Sequence, residues 1–213
     1  MYLKIKRAVD SFLSAMGLIV LSPLFLILIL WIKRDSRGPV LFKQKRIGIH
    51  KKPFYILKFR TMRTDTPKDM PTHLLQNPDQ YITRAGHFLR KTSLDELPQI
   101  INILLGDMSI IGPRPALWNQ YDLIAERDKY GANDVLPGLT GWAQINGRDE
   151  LEIPVKAKLD GEYVEKLRKN GFSGFLMDCR CFWGTVGSVL RHEGVLEGGT
   201  GEMARQKAGR KGK

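Results

Sequence analysis

One stretch constrains this chain more than any other. Met16–Ile32 reads MGLIVLSPLFLILILWI, 17 residues without a charge. With the weaker run Ala8–Ala15, which holds Asp10, Ser11 and Ser14, it approaches the roughly 20 residues that a bilayer span needs. Ser22-Pro23 sits in its middle. A proline there removes a backbone donor and drives its ring into the preceding turn, so the helix kinks or breaks. Both flanks are basic, with Lys4, Lys6 and Arg7 before the stretch and Lys33, Arg34 and Arg37 after it. Lys and Arg favour the cytoplasmic side, so balanced flanks suit a broken helix that dips into one leaflet and returns. A kinked helix that crosses the bilayer, with its C-terminal domain in the cytoplasm, is the other reading, because spans tolerate proline. No small-residue cleavage site follows, which excludes a secretory signal. No second apolar run of comparable length exists, so the sequence describes one anchor on an otherwise water-exposed domain.

The rest is ordinary in composition and unusual in charge. A chain of 213 residues, 43% apolar and 26% charged, fits one domain with an appendage. It excludes a disordered chain, a collagen and a many-span bundle. The net charge of +12 calls for an anionic partner: nucleic acid, an anionic membrane or a phosphorylated substrate. Nucleic acid is not expected, since neither an aromatic-basic RNA motif nor a recognition-helix pattern is present. Cys179 and Cys181 fit neither a zinc ribbon nor a C-x-x-C redox pair and read as reduced thiols in a cytosolic compartment. The Gly-rich run Gly194–Gly201 and five basic residues among the last nine read as a flexible basic tail. It is either simply solvated or loosely drawn to anionic lipid. The expected organisation is an anchor over 1–37, a catalytic domain over 38–191 and a tail over 192–213.

Periodicity outlines the domain. Val40–Ile47 and Phe54–Met62 flank a turn-rich Gly48–Pro53 and predict a β-hairpin, with Lys58 and Arg60 on one face and Phe59 on the other. Asp65–Gln80 reads as a loop with a short helix. Leu97–Leu105 places apolar residues at helical spacing before the natural stop Gly106. Pro113-Arg114-Pro115 is a stiff extended element, Ala116–Tyr130 reads as helical, and Leu136–Arg148 as loop. Ile153–Lys169 and Phe175–Arg191 are expected helices; the second carries Phe182 and Trp183 on a face that is either core or membrane interface. The class is therefore α+β: a mostly helical domain with a small hairpin, a broken membrane helix and amphipathic surface helices.

Chemistry concentrates in Lys91–Pro98. Ser93-x-x-Glu96 matches a capping box, which would make Asp95 and Glu96 simple helix-start residues. Pro98 conflicts with a helix beginning at Ser93, because its missing N–H would fall where a bond is needed. Either the turn is distorted or the helix starts nearer Asp95. Both options leave two carboxylates at an exposed helix N-terminus, which also attracts phosphate. There Asp95 would suit a nucleophile, and Glu96 a magnesium ligand. Arg114, fixed between prolines, presents a planar fork suited to phosphate, unlike a strand cation such as Arg46. Lys58, Arg60, Arg84, Arg90 and Arg148 are singly surface cations but together suggest an anionic pocket. The histidines show no metal spacing, and no P-loop or G-x-G-x-x-G is present.

In this order the segments resemble the small monotopic phosphoglycosyl transferases, the bacterial sugar transferase family, over about Lys4–Leu190. The matching blocks are the anchor with Ser22-Pro23, Lys43–Arg46 with Gly48, Leu57–Met62, Arg90–Gln99, Gly106–Ser109, Gly112–Pro115 and Pro137–Gln144. The resemblance implies transfer of a phosphosugar from a UDP-sugar to polyprenol phosphate, in the cytoplasmic leaflet of a bacterial membrane, giving polyprenyl diphosphate sugar and UMP. It implies that Asp95 attacks the β-phosphate to form an aspartyl phosphosugar and that Glu96 helps bind Mg²⁺. It makes Ser22 and Pro23 a re-entrant break, and Lys58, Arg90, Arg114, Gln144 and Arg148 substrate-binding positions. Gly161-Glu162 and Asp178-Cys179-Arg180 depart from the family pattern, which leaves Asp160 and Asp178 without an implied role.

Overall fold

The computed structural model describes residues 2–66, 78–147 and 151–190. Two helices lead, α1 (Tyr2–Val20) and α2 (Ser22–Asp35), bent by 62° where they meet. The bend has a local cause. Pro23 cannot donate to the carbonyl of Ile19, and its ring would collide with that carbonyl in a continuous helix. Ser22 Oγ donates to Ile19 O instead, at 2.8 Å. Pro23 then lies in the first turn of α2, where its fixed φ favours a helix start. No single described helix is long and apolar enough to cross a membrane, although the bent pair together is.

Both ends of this pair are bound to the same body. In α1, Arg7 donates to the carbonyls of Ile103 and Leu104 at 2.5 and 2.9 Å. Lys6 lies 2.9 Å from Asp178, and Tyr2 OH donates to that carboxylate at 2.5 Å. Ser109 Oγ donates to Asp10 at 2.6 Å. Lys6 and Arg7 are thus not a flank outside the apolar stretch, as the sequence suggested, but helix residues committed to the domain. At the other end Arg60, 5% exposed, donates to the carbonyls of Ser36 and Arg37 at 2.8 and 2.6 Å. Asp35 accepts from Ala85 N at 3.0 Å, while Leu28 and Ile32 pack with Phe59, Ala85 and Leu89.

The expected hairpin is present as β1 (Leu41–Ile47) and β2 (Pro53–Phe59), antiparallel, with Phe42 opposite Lys58 and Arg46 opposite Phe54. It ends at Phe59 rather than Met62, because Arg60 turns away to hold the Ser36-Arg37 link. The helix α3 (Arg84–Lys91), capped by Thr83 Oγ1 accepting from Gly86 N at 2.9 Å, was not legible in the sequence. A short 3₁₀ turn, Leu94–Glu96, precedes α4 (Gln99–Leu105), which ends at Gly106 with φ of 101° as expected.

The middle of the chain differs from expectation. Ser109–Ile111 (β3) pairs in parallel with Gly138–Thr140 (β4), so part of the expected Leu136–Arg148 loop is strand. Another part is α6 (Trp142–Ile145). The helix read over Ala116–Tyr130 shrinks to α5 (Tyr121–Asp128), since Leu117 instead forms a bridge beside Arg46 of β1. Then come α7 (Ile153–Lys169) and α8 (Gly171–Leu190). Met177 and Cys181 of α8 are buried, while Phe172, Phe182 and Trp183 are exposed, so the aromatic face of α8 is surface and not core. Much of the Asp65–Gln80 segment, and the basic tail, lie outside the described residues; Pro78–Tyr81 is a 3₁₀ turn.

Candidate active site

The two carboxylates are set by a turn, not by a helix cap. Ser93 adopts φ of 56°, a left-handed conformation rare for serine, and its hydroxyl makes no capping bond. The capping-box expectation therefore fails. The conflict with Pro98 is resolved by a break: Leu97 N bonds to Leu94 O, and the helix begins anew at Gln99. Asp95 and Glu96 project from the intervening turn. They are not exposed either; their side chains are 13% and 15% accessible.

Two cations from distant segments hold Glu96. Lys58 of β2 donates to Oε1 at 2.9 Å. Arg114 donates from both terminal nitrogens, to Oε1 at 2.5 Å and Oε2 at 3.3 Å. Lys58 Nζ also stands 3.9 Å from Asp95 Oδ2, so it serves both carboxylates. Burial by itself would raise the Glu96 carboxyl. The charges of Arg114 and Lys58, with their hydrogen bonds, outweigh it and hold Glu96 well below the usual carboxylate range. The positive field here comes from side chains rather than from the exposed helix terminus that the sequence suggested.

Arg114 owes its place to backbone packing. Gly112 N donates to Thr140 O at 2.8 Å, Gly138 N to Pro113 O at 2.9 Å, and Ser109 N to Pro137 O at 2.8 Å. The approach is so close that a Cβ on Gly138 would sit 2.1 Å from Gly112 N. The blocks Gly112–Pro115 and Pro137–Thr140 are thus one unit, which sequence separation hid.

The other expected site residues divide. Arg90, half-buried at the end of α3, donates through Nε to Thr61 Oγ1 at 2.8 Å. Gln144 on α6 lies beside Gly141, and both its amide atoms are buried without a hydrogen bond. Among the described residues no hydrogen bond joins it to Glu96. Arg148 lies outside the described residues. Arg60 leaves the expected pocket, because its guanidinium is spent on the Ser36 and Arg37 carbonyls. Arg84 is exposed on α3.

Asp160 and Asp178 acquire structural roles. Asp160 is 1% exposed and pairs with Arg127 at 2.6 Å, tying α7 to α5. Burial pushes its carboxyl above the usual range, partly offset by Arg127. Asp178 accepts from Tyr2 and Tyr163 and pairs with Lys6, tying α8 to α1.

Sequence reasoning also missed Arg46. It was expected to be loosely held, yet it is half-buried and donates to Gln44 Oε1 and to Pro115 O. Its alternation with Gln44, on the strand opposite Lys58, was the available signal.

Comparison with known proteins identifies the family. The family model for bacterial sugar transferase matches residues 1–192. The "Uncharacterized sugar transferase EpsL" of Bacillus subtilis (strain 168) is 39% identical over 194 residues, covering 91% of each chain. The "Exopolysaccharide production protein PSS" of Rhizobium leguminosarum bv. phaseoli is 41% identical, over 89% of this chain and 97% of its own. The "UDP-glucose:undecaprenyl-phosphate glucose-1-phosphate transferase" of Escherichia coli (strain K12) is 43% identical over 170 residues. That match takes in 76% of this chain and only 36% of the longer relative.

Proposed function

Because this chain belongs to the bacterial sugar transferase family, as its sequence motifs implied, we propose that it transfers a hexose 1-phosphate from a UDP-sugar to polyprenol phosphate. UDP-glucose and undecaprenyl phosphate are the substrates to test first, since they appear in the names of relatives. The product, a polyprenyl diphosphate sugar, would begin assembly of an exopolysaccharide. The observation that carries this reading is the clamp on Glu96. Lys58 and Arg114 converge from segments 38 and 18 residues away, beside a second carboxylate on a turn that offers it no helix-capping role.

The reaction we infer has two steps. Asp95 attacks the β-phosphorus of the UDP-sugar; the bond between that phosphorus and the bridging oxygen breaks, and UMP leaves. A phosphate oxygen of polyprenol phosphate then attacks the phosphorus of the aspartyl phosphosugar, and Asp95 leaves as a carboxylate. Lys58 and Arg114 suit the neutralisation of negative charge on the phosphoryl oxygens. Arg114 offers a fork matched to such oxygens, already aimed by its bond to Glu96. Arg90, Gln144 and Arg148 complete the proposed substrate-binding set.

Magnesium fits this donor set. No described group of three or more His, Cys, Asp or Glu side chains converges on one point. Magnesium commonly takes one or two carboxylates and completes its shell with phosphates and water. Glu96, held ionised, would supply one such carboxylate, with Asp95 kept as the nucleophile. When bound, the ion would neutralise diphosphate charge.

For the anchor we propose re-entrance from the cytoplasmic leaflet. Both ends of the bent pair attach to one domain, through Tyr2, Lys6 and Arg7 at one end and Asp35, Ser36 and Arg37 at the other. Phe12, Ile19, Val20, Leu26 and Ile27 are more than half exposed around the bend. Apolar surface on that scale calls for lipid.

Intact-mass analysis tests the chemistry. With UDP-glucose and Mg²⁺ but no acceptor, the protein should gain one hexose phosphate, mapped to Asp95, as UMP appears in a burst. Asp95→Asn should abolish both. An adduct elsewhere, or UMP formed only when both substrates are present, would refute the two-step reading.

A further inference from the structure

We propose that Arg46 is a positioning residue for this reaction: by holding the carbonyl of Pro115 it keeps Arg114 on Glu96. The inference rests on the reading of Arg114 as a substrate-facing cation.

The segment that carries Arg114 cannot hold itself. Pro113 and Pro115 have no N–H, so neither can anchor the chain by donating. The segment is held through its carbonyls. Pro113 O accepts from Gly138 N at 2.9 Å, and Ala116 O from Ile47 N at 3.0 Å. Pro115 O, the carbonyl immediately after Arg114, accepts from Arg46 at 3.0 Å. The first two donors are backbone groups fixed by strand pairing. The third is the side chain of Arg46.

That side chain is itself clamped. Gln44 Oε1 accepts from Arg46 Nε at 3.2 Å and from a terminal nitrogen at 2.7 Å. Two contacts on one edge fix the plane of the guanidinium and leave the other terminal nitrogen for Pro115. The long side chain is therefore ordered before substrate arrives.

Register explains why Arg46 suits this task. Gln44 pairs with Ile56 and Arg46 with Phe54, while Lys58 pairs with Phe42. With side chains alternating along each strand, Gln44, Arg46 and Lys58 share one hairpin face. One hairpin thus places both cations on Glu96, Lys58 directly and Arg114 through the Pro115 carbonyl. Misplacement of a binding group by about 1 Å can cost up to two orders of magnitude in rate, so a hold one residue from Arg114 should register in substrate use.

The test is a double-mutant cycle on the full-length protein in detergent, with UDP-glucose and undecaprenyl phosphate, scored by UMP release. Arg46→Met keeps the stem and removes the fork. It should lower kcat/KM for UDP-glucose about tenfold, mainly through KM. Arg46→Lys keeps a donor for Pro115 O and should recover part of the loss. Gln44→Leu should move KM in the same direction by less. In an Arg114→Ala background, Arg46→Met should add less than about twofold, because the residue it positions is gone.

Additive losses in the double mutant would overturn the inference, as would Arg46→Lys behaving like Arg46→Met. A fall in kcat and melting temperature at unchanged KM would also overturn it, since that marks general damage. If Arg114→Ala alone keeps full kcat/KM, the substrate role of Arg114 fails and this inference fails with it. If Arg114→Ala is impaired and the cycle is additive, only the role of Arg46 fails.

Discussion

Replacing Gly138 with alanine should damage both the fold and the site, by an amount that can be worked from geometry. The added Cβ would stand 2.1 Å from Gly112 N, 2.5 Å from Thr140 O and 2.6 Å from Gly112 Cα. All three are backbone atoms, so no rotamer change relieves the overlap. Thr140 lies on the same strand as Gly138, so that overlap bends β4 itself, and relieving the two Gly112 overlaps means parting the Ser109–Gly112 segment from β4 by roughly 1 Å or more. That exceeds what the bonds Gly112 N to Thr140 O, Gly138 N to Pro113 O and Ser109 N to Pro137 O, all 2.8–2.9 Å, can absorb. Each is worth about 1 kcal/mol net, so about 3 kcal/mol is lost. For a chain of this size the melting temperature should fall by about 6–12 °C. The same movement carries Pro113 and Arg114 away from Glu96, so kcat/KM should fall by about tenfold or more. Melting in detergent and UMP release measure the two effects. Gly187→Ala is the control, because an added Cβ there meets nothing within 4 Å; it should be neutral or slightly stabilising. A Gly138→Ala protein that melts within about 2 °C of wild type and keeps its kcat/KM would refute the argued link between strand approach and Arg114.

Other consequences are open to direct measurement. Asp160→Asn leaves buried Arg127 without its ion partner and should cost about 3–5 kcal/mol in denaturant unfolding. The paired change Asp160→Leu with Arg127→Met should cost much less, and equal losses would contradict the ion-pair account. Asp178→Ala removes the acceptor shared by Tyr2, Lys6 and Tyr163, and should make α1 an early target in limited proteolysis at temperatures where the wild type resists. Unchanged cleavage would mean that this cluster does not hold α1. With Cys179 and Cys181 replaced, Lys4→Cys should resist an impermeant maleimide applied outside intact cells and react after permeabilisation. Labelling from outside would refute a re-entrant anchor.

Features that depend on neighbours in the chain were legible early. The break at Ser22-Pro23 follows from one missing N–H, and the stop at Gly106 from one left-handed backbone angle. The hairpin follows from alternation and a turn-rich connection. Expectations weakened where local physics allowed two answers. Ser93-x-x-Glu96 is a sound capping pattern, but Ser93 turned left-handed and Glu96 found charged partners far away in the chain. Ser109–Ile111 and Gly138–Thr140 are too short to signal themselves as strands, and exist because each completes the other's hydrogen bonds.

The family, the broken apolar helix, the hairpin and the two adjacent carboxylates are all local in origin, because residues close along the chain encode each of them. Which of many cations serve the site depends on long-range packing. Lys58 and Arg60 sit two residues apart with the same charge. One meets Glu96, and the other is buried against the carbonyls that end the anchor. Arg46 and Arg114 became partners through a single carbonyl, and Lys6 met Asp178 from the far end of the chain. A charge carries no record of its partner along the chain. The partner is fixed when packing brings distant segments together and burial makes an unmatched charge too costly to keep.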